Sequence, residues 1–176
     1  ALMRPLAAVA LLALLFACAA PQGKNASAAS TRWQALYDAA RDHYTHDRYA
    51  EAEKGFQAAL REARRRKDEV RAARCIGYLG DVAYQLGRYA EAEKRYREAL
   101  AIQERAAGPE SPDTAVALDD LATFCGRQDK FDEAEPLARR ALAIREKALG
   151  PEDPKTAASL VTLARVVNGR GDYAEA

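Results

Sequence analysis

Arg88-Tyr-Ala-Glu-Ala-Glu93 is the stretch that decides the fold, because it is not unique. The phrase stands also as Arg48-Tyr-Ala-Glu-Ala-Glu53, as Lys130-Phe-Asp-Glu-Ala-Glu135 and, in part, as Asp172-Tyr-Ala-Glu-Ala176. Its aromatic anchors Tyr49, Tyr89, Phe131 and Tyr173 are 40, 42 and 42 residues apart. A regular period in this range marks a solenoid of stacked supersecondary units, none of which can bury its apolar face alone.

Working outward from residue 88, Val70 to Leu86 carries apolar residues at helical spacing (Ile76, Leu79, Val82, Ala83, Leu86), and Gly87 closes the run. Tyr89 to Ala107 repeats the pattern with Ala92, Tyr96, Ala99, Leu100 and Ile102. The link is so short that the two helices must pack antiparallel. Small residues at Gly80, Ala92 and Ala99 let the backbones approach closely. The first unit has Ala40, Ala52 and Ala59 at small positions, with Phe56 matching Tyr96. In the third, predicted over Thr114–Gly126 and Phe131–Leu149, these become Ala122, Ala134 and Ala141. Units are thus expected at 32–66, 70–107, 112–149 and 154–176. The fourth breaks off inside the repeated phrase, so the sequence reads as a fragment. Glu91 with Arg95 and Glu93 with Arg97 are placed to support exposed helix faces.

The connectors differ. Gly108-Pro-Glu-Ser-Pro-Asp113 and Gly150-Pro-Glu-Asp-Pro-Lys155 are near copies, with Gly ending one helix, Ser111 or Asp153 capping the next, and Pro112 or Pro154 in its first turn. Between units one and two stands Arg64-Arg-Arg-Lys-Asp-Glu69, shorter and free of proline, which leaves room for the preceding helix to run further.

The N-terminus is a separate object. Arg4 precedes an uncharged run from Pro5 to Ala20, shorter than the roughly 20 residues of a spanning helix. This is the pattern of a secretory signal peptide over 1–17, with Met3 as the natural start. Leu15-Phe-Ala-Cys18 resembles a bacterial lipobox, which implies lipid attachment at Cys18 and a periplasm-facing, membrane-anchored protein. Ordinary cleavage after Ala19 or Ala20 and an uncleaved anchor are the alternatives. Residues 18–31 read as a flexible tether. The chain carries 27 Lys and Arg against 26 Asp and Glu. Bulk charge therefore draws it toward neither nucleic acid nor an anionic membrane.

The chain resembles the tetratricopeptide repeat family, in the 42-residue variety of kinesin light chains. Leu79-Gly80, Gly87-Arg-Tyr89, Ala92, Tyr96 and Ala99 carry that resemblance, with Ala141-Leu-Ala-Ile-Arg-Glu-Lys-Ala-Leu-Gly-Pro-Glu-Asp-Pro154 for the longer variant. It implies an all-α, right-handed superhelical solenoid of antiparallel helix pairs. Unit three departs from the pattern: Ala138 replaces the large aromatic, Gly126 replaces the tyrosine seen as Tyr44 and Tyr84, and Pro136 falls near the first turn of its helix.

Such arrays bind extended segments along the surface lined by the first helix of each unit. Carried over position by position, the groove comprises Tyr37, Arg41 and Tyr44, then Asp81, Tyr84 and Gln85, then Asp119, Thr123 and Arg127, and finally Arg165 and Asn168. The lysine and asparagine clamp of the chaperone-binding subfamily is missing at Tyr37/Arg41, Gly77/Asp81, Asp119/Thr123 and Val161/Arg165, which disfavours a terminal carboxylate as ligand. His43 and His46 lack a third ligand cluster nearby, so no metal is expected, and His43 aligns with interior positions. Cys75 and Cys125 are expected to lie about 12 Å apart along adjacent first helices, too far for a disulfide. The basic run Arg61 to Arg74 is partly offset by Glu62, Asp68 and Glu69. No nucleophile–base pair or phosphate loop appears. The expected function is a non-enzymatic protein-interaction scaffold without cofactors. The alternative is a regulatory module of a larger enzyme whose catalytic domain lies beyond residue 176.

Overall fold

The computed structural model describes the backbone of residues 22–171 and the side chains of residues 32–171. The expected signal peptide and Cys18 lie outside the described residues, as does the start of the fourth second-helix. Two compact units divide the chain, Ala1–Arg32 and Trp33–Ala176. In the first, the described residues are helical and open α1, and in the second lies the repeat array.

Seven helices follow one another: α1 Gln22–Thr45, α2 Tyr49–Arg65, α3 Glu69–Gln85, α4 Tyr89–Ala106, α5 Pro112–Arg127, α6 Phe131–Leu149 and α7 Pro154–Arg170. Every regular element among the described residues is helical, and α2 to α7 stack in chain order, each against the next. First helices also meet across units, α3 with α5 and α5 with α7. The array is an all-α solenoid.

The tight turns inside units need one residue in the left-handed region. Asp47, Gly87, Asp129 and Gly171 supply it, with φ of 58°, 73°, 57° and 89°. Small short-chain polar residues tolerate that region, as glycine does. Between units, Ser111 and Asp153 accept hydrogen bonds from the backbone N–H of Asp113 and Lys155, as the sequence predicts. Their connectors are closed identically by Thr114 Oγ1 donating to the Gly108 carbonyl and Thr156 Oγ1 to that of Gly150, at 2.7 and 2.8 Å.

Two expectations need correction. The second helix of unit one does not run on: α2 stops at Arg65, Lys67 turns the chain with φ 56°, and Asp68 caps α3 through the Arg71 N–H. A cap and a left-handed residue end the helix without proline. The tether expected over 18–31 is helical from Gln22. Ala26, Ala28 and Ala29 favour helix, and no proline lies between Gln22 and Trp33. Pro136 lies in the second turn of α6, which continues unbroken to Leu149.

Close packing follows the small residues. A Cβ on Gly80 would sit 3.0 Å from the Tyr96 ring, and one on Gly55 2.7 Å from the Ala40 Cβ. The core runs from Trp33, Phe56, Ile76 and Leu79 to Tyr96, Leu121, Phe124 and Val166, with Leu118, Ala141 and Ile144 completing unit three.

The repeated phrase itself acquires a mechanical meaning. Its leading cation pairs with the closing glutamate of the preceding unit: Arg88 with Glu53 at 2.9 Å and Lys130 with Glu93 at 2.7 Å. Arg97 bridges Glu93 of its own helix and Glu133 of the next unit, at 2.9 and 2.6 Å. Each such surface pair contributes little, about 0.2–1 kcal/mol, but the series fixes the register between units.

Candidate binding groove

The groove is built from first helices because α1, α3, α5 and α7 turn one face to the array's core and the opposite face outward. Tyr44, Asp81, Tyr84, Gln85, Thr123 and Arg127 line one cavity of about 150 Å³, together with Tyr96, Asp120 and Phe124. Three successive units contribute to it. Gln85 Nε2 donates to the Tyr44 hydroxyl at 3.4 Å, and the Arg127 guanidinium lies 5.0 Å from the centre of the Tyr84 ring. Each of these tyrosines thus meets the first helix of the next unit at the same register step.

The floor is acidic. Tyr96, standing on α4, donates its hydroxyl to Asp81 Oδ1 at 2.7 Å. Burial raises the Asp81 carboxyl to about 6 despite that bond and the Arg127 charge. Burial also pushes the Asp120 carboxyl well above the carboxylate range, with Asp81 and then Asp119 adding to it. Two adjacent carboxylates short of counter-charge resist ionising together. Burial, foremost, also raises the Tyr44 and Tyr96 hydroxyls, which keeps them as neutral donors.

A second cavity, of about 290 Å³, adjoins the first and shares Thr123 and Arg127 with it. It opens at Gly126, where the earlier units carry Tyr44 and Tyr84, and is walled by Phe131, Thr162, Arg165, Val166 and Gly169. The missing tyrosine therefore creates space, and the Phe131 ring fills part of it by leaning on Gly169.

The same repeat pattern is found by comparison with known proteins. The tetratricopeptide repeat profile matches residues 34–105, 71–147 and 113–176. The chain belongs to the tetratricopeptide repeat family. No curated protein matches it. Among solved structures, BtubC (BKLC) from P. vanneervenii superposes with a TM-score of 0.70 at 24% identity, covering 83% of this chain and 59% of that one. A Podosopora anserina putative kinesin light chain with nearly identical repeats gives 0.64 at 22%, covering 82% and 69%. The apo form of RapI gives 0.69 at 16%, covering 82% and 51%. At these identities the likeness is one of fold. The chain spans about three fifths of BtubC and half of RapI.

Within this tetratricopeptide array the remaining predicted groove residues are distributed unevenly. Tyr37 stacks on Trp33 at 4.6 Å and meets Tyr78 edge-on, with Arg41 6.0 Å from its ring centre. Arg165 joins the second cavity, while Asn168 is exposed near the end of α7. Asp119 does not line the groove. It is 8% exposed, forms an ion pair with Arg145 Nη1 at 2.8 Å and accepts a hydrogen bond from Ser159 Oγ at 2.7 Å, a buried network joining α5, α6 and α7. The groove carboxylate is instead its neighbour Asp120, which sequence reading missed. A one-residue step moves a side chain by 100° around a helix, and two adjacent aspartates give no signal to choose between them.

Other candidates resolve into packing. Cys75 and Cys125 are free and buried, and burial raises their thiols to about 12 and about 11. His43 is half-buried, and a ring nitrogen of His46 lies 2.8 Å from the Asp42 carbonyl. No cluster suited to a metal ion is found among the described residues, and no helix among them is long and apolar enough to cross a membrane. The basic run is drawn into ion pairs: Arg64 with Glu98, Arg65 and Arg66 with Glu62, Arg71 with Asp68, Arg74 with Asp113.

Proposed function

We propose that the array is a non-enzymatic scaffold that holds an extended segment of a protein partner along its first-helix groove. One observation carries this reading: Tyr44, Asp81, Tyr84, Gln85, Thr123 and Arg127, from three units, converge on a single cavity. Tyrosine and arginine bring large contact area and directional donors, which is why they dominate binding hot spots. The helix backbones bearing them are held by the core, so little order has to be gained on binding. The test is selection of peptides from a displayed random library by the whole chain. Tyr84→Ala and Arg127→Glu are expected to weaken the selected peptides at least tenfold, about 1.4 kcal/mol or more. Lys94→Ala, on an exposed face of α4, is expected to leave them unchanged. Equal loss from Lys94→Ala, or none from the groove variants, contradicts the reading.

The scaffold is further proposed to be exported and anchored through Cys18, on the strength of the leader-like run from Arg4 to Cys18. Labelled palmitate should enter the wild-type chain and not Cys18→Ala. Absence of label, or label that survives the substitution, removes the anchor and leaves the groove standing.

A further inference from the structure

We infer that the cleft between α3 and α5 is a seat for a positively charged side chain, an arginine or lysine presented by the bound segment. This deepens the groove reading above and rests on it. The cleft is a cavity of about 300 Å³ that reaches down to α4, with Tyr37 and Tyr78 on one wall and Asp120 and Gln103 offering oxygens.

Two acceptors there lack donors. Gln103 is only 3% exposed; its Nε2 reaches the Val70 carbonyl at 3.5 Å, while Oε1 has no partner. A buried amide oxygen left without a donor is uncommon and costly. Among the described residues, Asp120 makes no hydrogen bond or ion pair. Its Oδ2 lies 3.7 Å from the place a Cβ on Gly77 would occupy, so the glycine leaves the carboxylate uncovered. Unit one carries Tyr37 at the position of Gly77, with its ring packed against Trp33, Phe56 and Tyr78.

What Asp120 and Gln103 Oε1 lack is therefore a donor of their own beside an aromatic wall, although Arg74 and Lys155 also line the cleft. A guanidinium supplies five N–H groups in a plane and packs well against aromatic rings. The chain's own cations do not meet the need. Arg74 is held by Asp113 at 2.6 Å, Arg145 by Asp119 at 2.8 Å, and Arg127 lies over Tyr84. Lys155 also lines the cavity and is an exposed residue. The titratable groups around Asp120 are Arg74, Tyr78, Asp81 and Tyr84 from α3, Asp113, Asp119 and Arg127 from α5, Tyr96 from α4, Tyr37 and Tyr44 from α1, Arg145 from α6 and Lys155 from α7. The high proton affinity of Asp120, set by burial and two neighbouring carboxylates, is what a seated cation would reverse.

The experiment titrates the whole chain with N-acetyl-L-argininamide and its uncharged analogue N-acetyl-L-citrullinamide. The Gln103 side-chain amide and the Gly77 backbone amide are followed by NMR. Argininamide is expected to move both resonances and to bind at least about tenfold more tightly than citrullinamide. Asp120→Asn should weaken argininamide about tenfold or more while melting no lower than wild type, because it removes an unpaired charge. Lys155→Ala should tighten it, and affinity should fall toward acid pH as the buried Asp120 carboxyl takes up its proton. Equal binding of the two compounds, shifts at Gln103 and Gly77 no larger than at exposed Glu51, or indifference to Asp120→Asn overturns the seat. If that happens while Tyr84→Ala still releases selected peptides, the seat fails and the groove stands. If argininamide binds at Asp120 but the Tyr84 and Arg127 variants release nothing, the groove reading fails and the seat remains.

Discussion

The first two units are joined by aromatic rings, and the last two by a buried charge. Trp33 stacks on Tyr37 at 4.6 Å, Phe56 on Tyr78 at 4.8 Å, and Tyr37 meets both Phe56 and Tyr78 edge-on. At the other junction Arg145, 5% exposed, is ion-paired with Asp119 and donates from Nη1 to Ser159 Oγ at 2.9 Å and to the Lys155 carbonyl at 2.6 Å. Tyr37, Gly77 and Asp119 occupy one register position, 40 and 42 residues apart. An aromatic cements the stack there in unit one, a glycine opens a cleft in unit two, and a carboxylate pins the next unit in unit three. The period constrains where a side chain sits and leaves open what chemistry it does.

The two junctions should fail differently. Phe56→Ala should cost about 4 kcal/mol in urea denaturation, with no second substitution at the site restoring it, because the loss is one of packed volume. Arg145→Met should cost about 3 kcal/mol by stranding Asp119 in the interior, yet Asp119→Leu on top should return most of it. A double variant no better than Arg145→Met would mean that the charge network does not pin the junction. Ser111→Ala should cost about 1 kcal/mol through its lost helix cap, and Glu93→Gln at most about 0.5 kcal/mol, the exposed pairs being screened by water.

Titration sharpens the contrast between groove floor and surface. Asp81 holds its proton more tightly when folded, at about 6 against an ordinary 3.8. Its contribution to stability is full at acid pH and is lost as pH rises from about 4 through 6. Glu93 is held low chiefly by Lys130 and then Arg97, and Glu135 by Arg139 and then Arg170, so their contribution runs oppositely and is lost as pH falls below the ordinary carboxylate range. Asp81→Asn should keep the Tyr96 hydrogen bond and flatten the decline between pH 4 and 6 in a series of denaturation curves. An unchanged decline would place the titrating group elsewhere.

Most of the fold was legible because it rests on local signals. Apolar residues at helical spacing, Gly87, and the Ser111 and Asp153 caps placed helix limits within a residue or two. The groove was legible only in outline. Register arithmetic put Tyr44, Tyr84 and Arg127 on one surface, and they line one cavity, since equivalent residues of a repeat point the same way. It failed at Asp119, whose direction depends on Arg145 reaching in from another helix, a contact that no local pattern encodes. The pairing of Glu93 with Arg97 was legible within their own helix, and the pairing of Glu53 and Glu93 with the next unit was not, because that depends on how the units stack.

The most direct test of the account places a photo-crosslinking amino acid at Gln85, in the groove, and separately at Lys94, exposed on α4. A selected peptide bearing an affinity tag is then irradiated with each protein. Binding along the first helices predicts strong crosslinking from position 85 and background from 94. Equal yields, or a higher yield at 94, would contradict it.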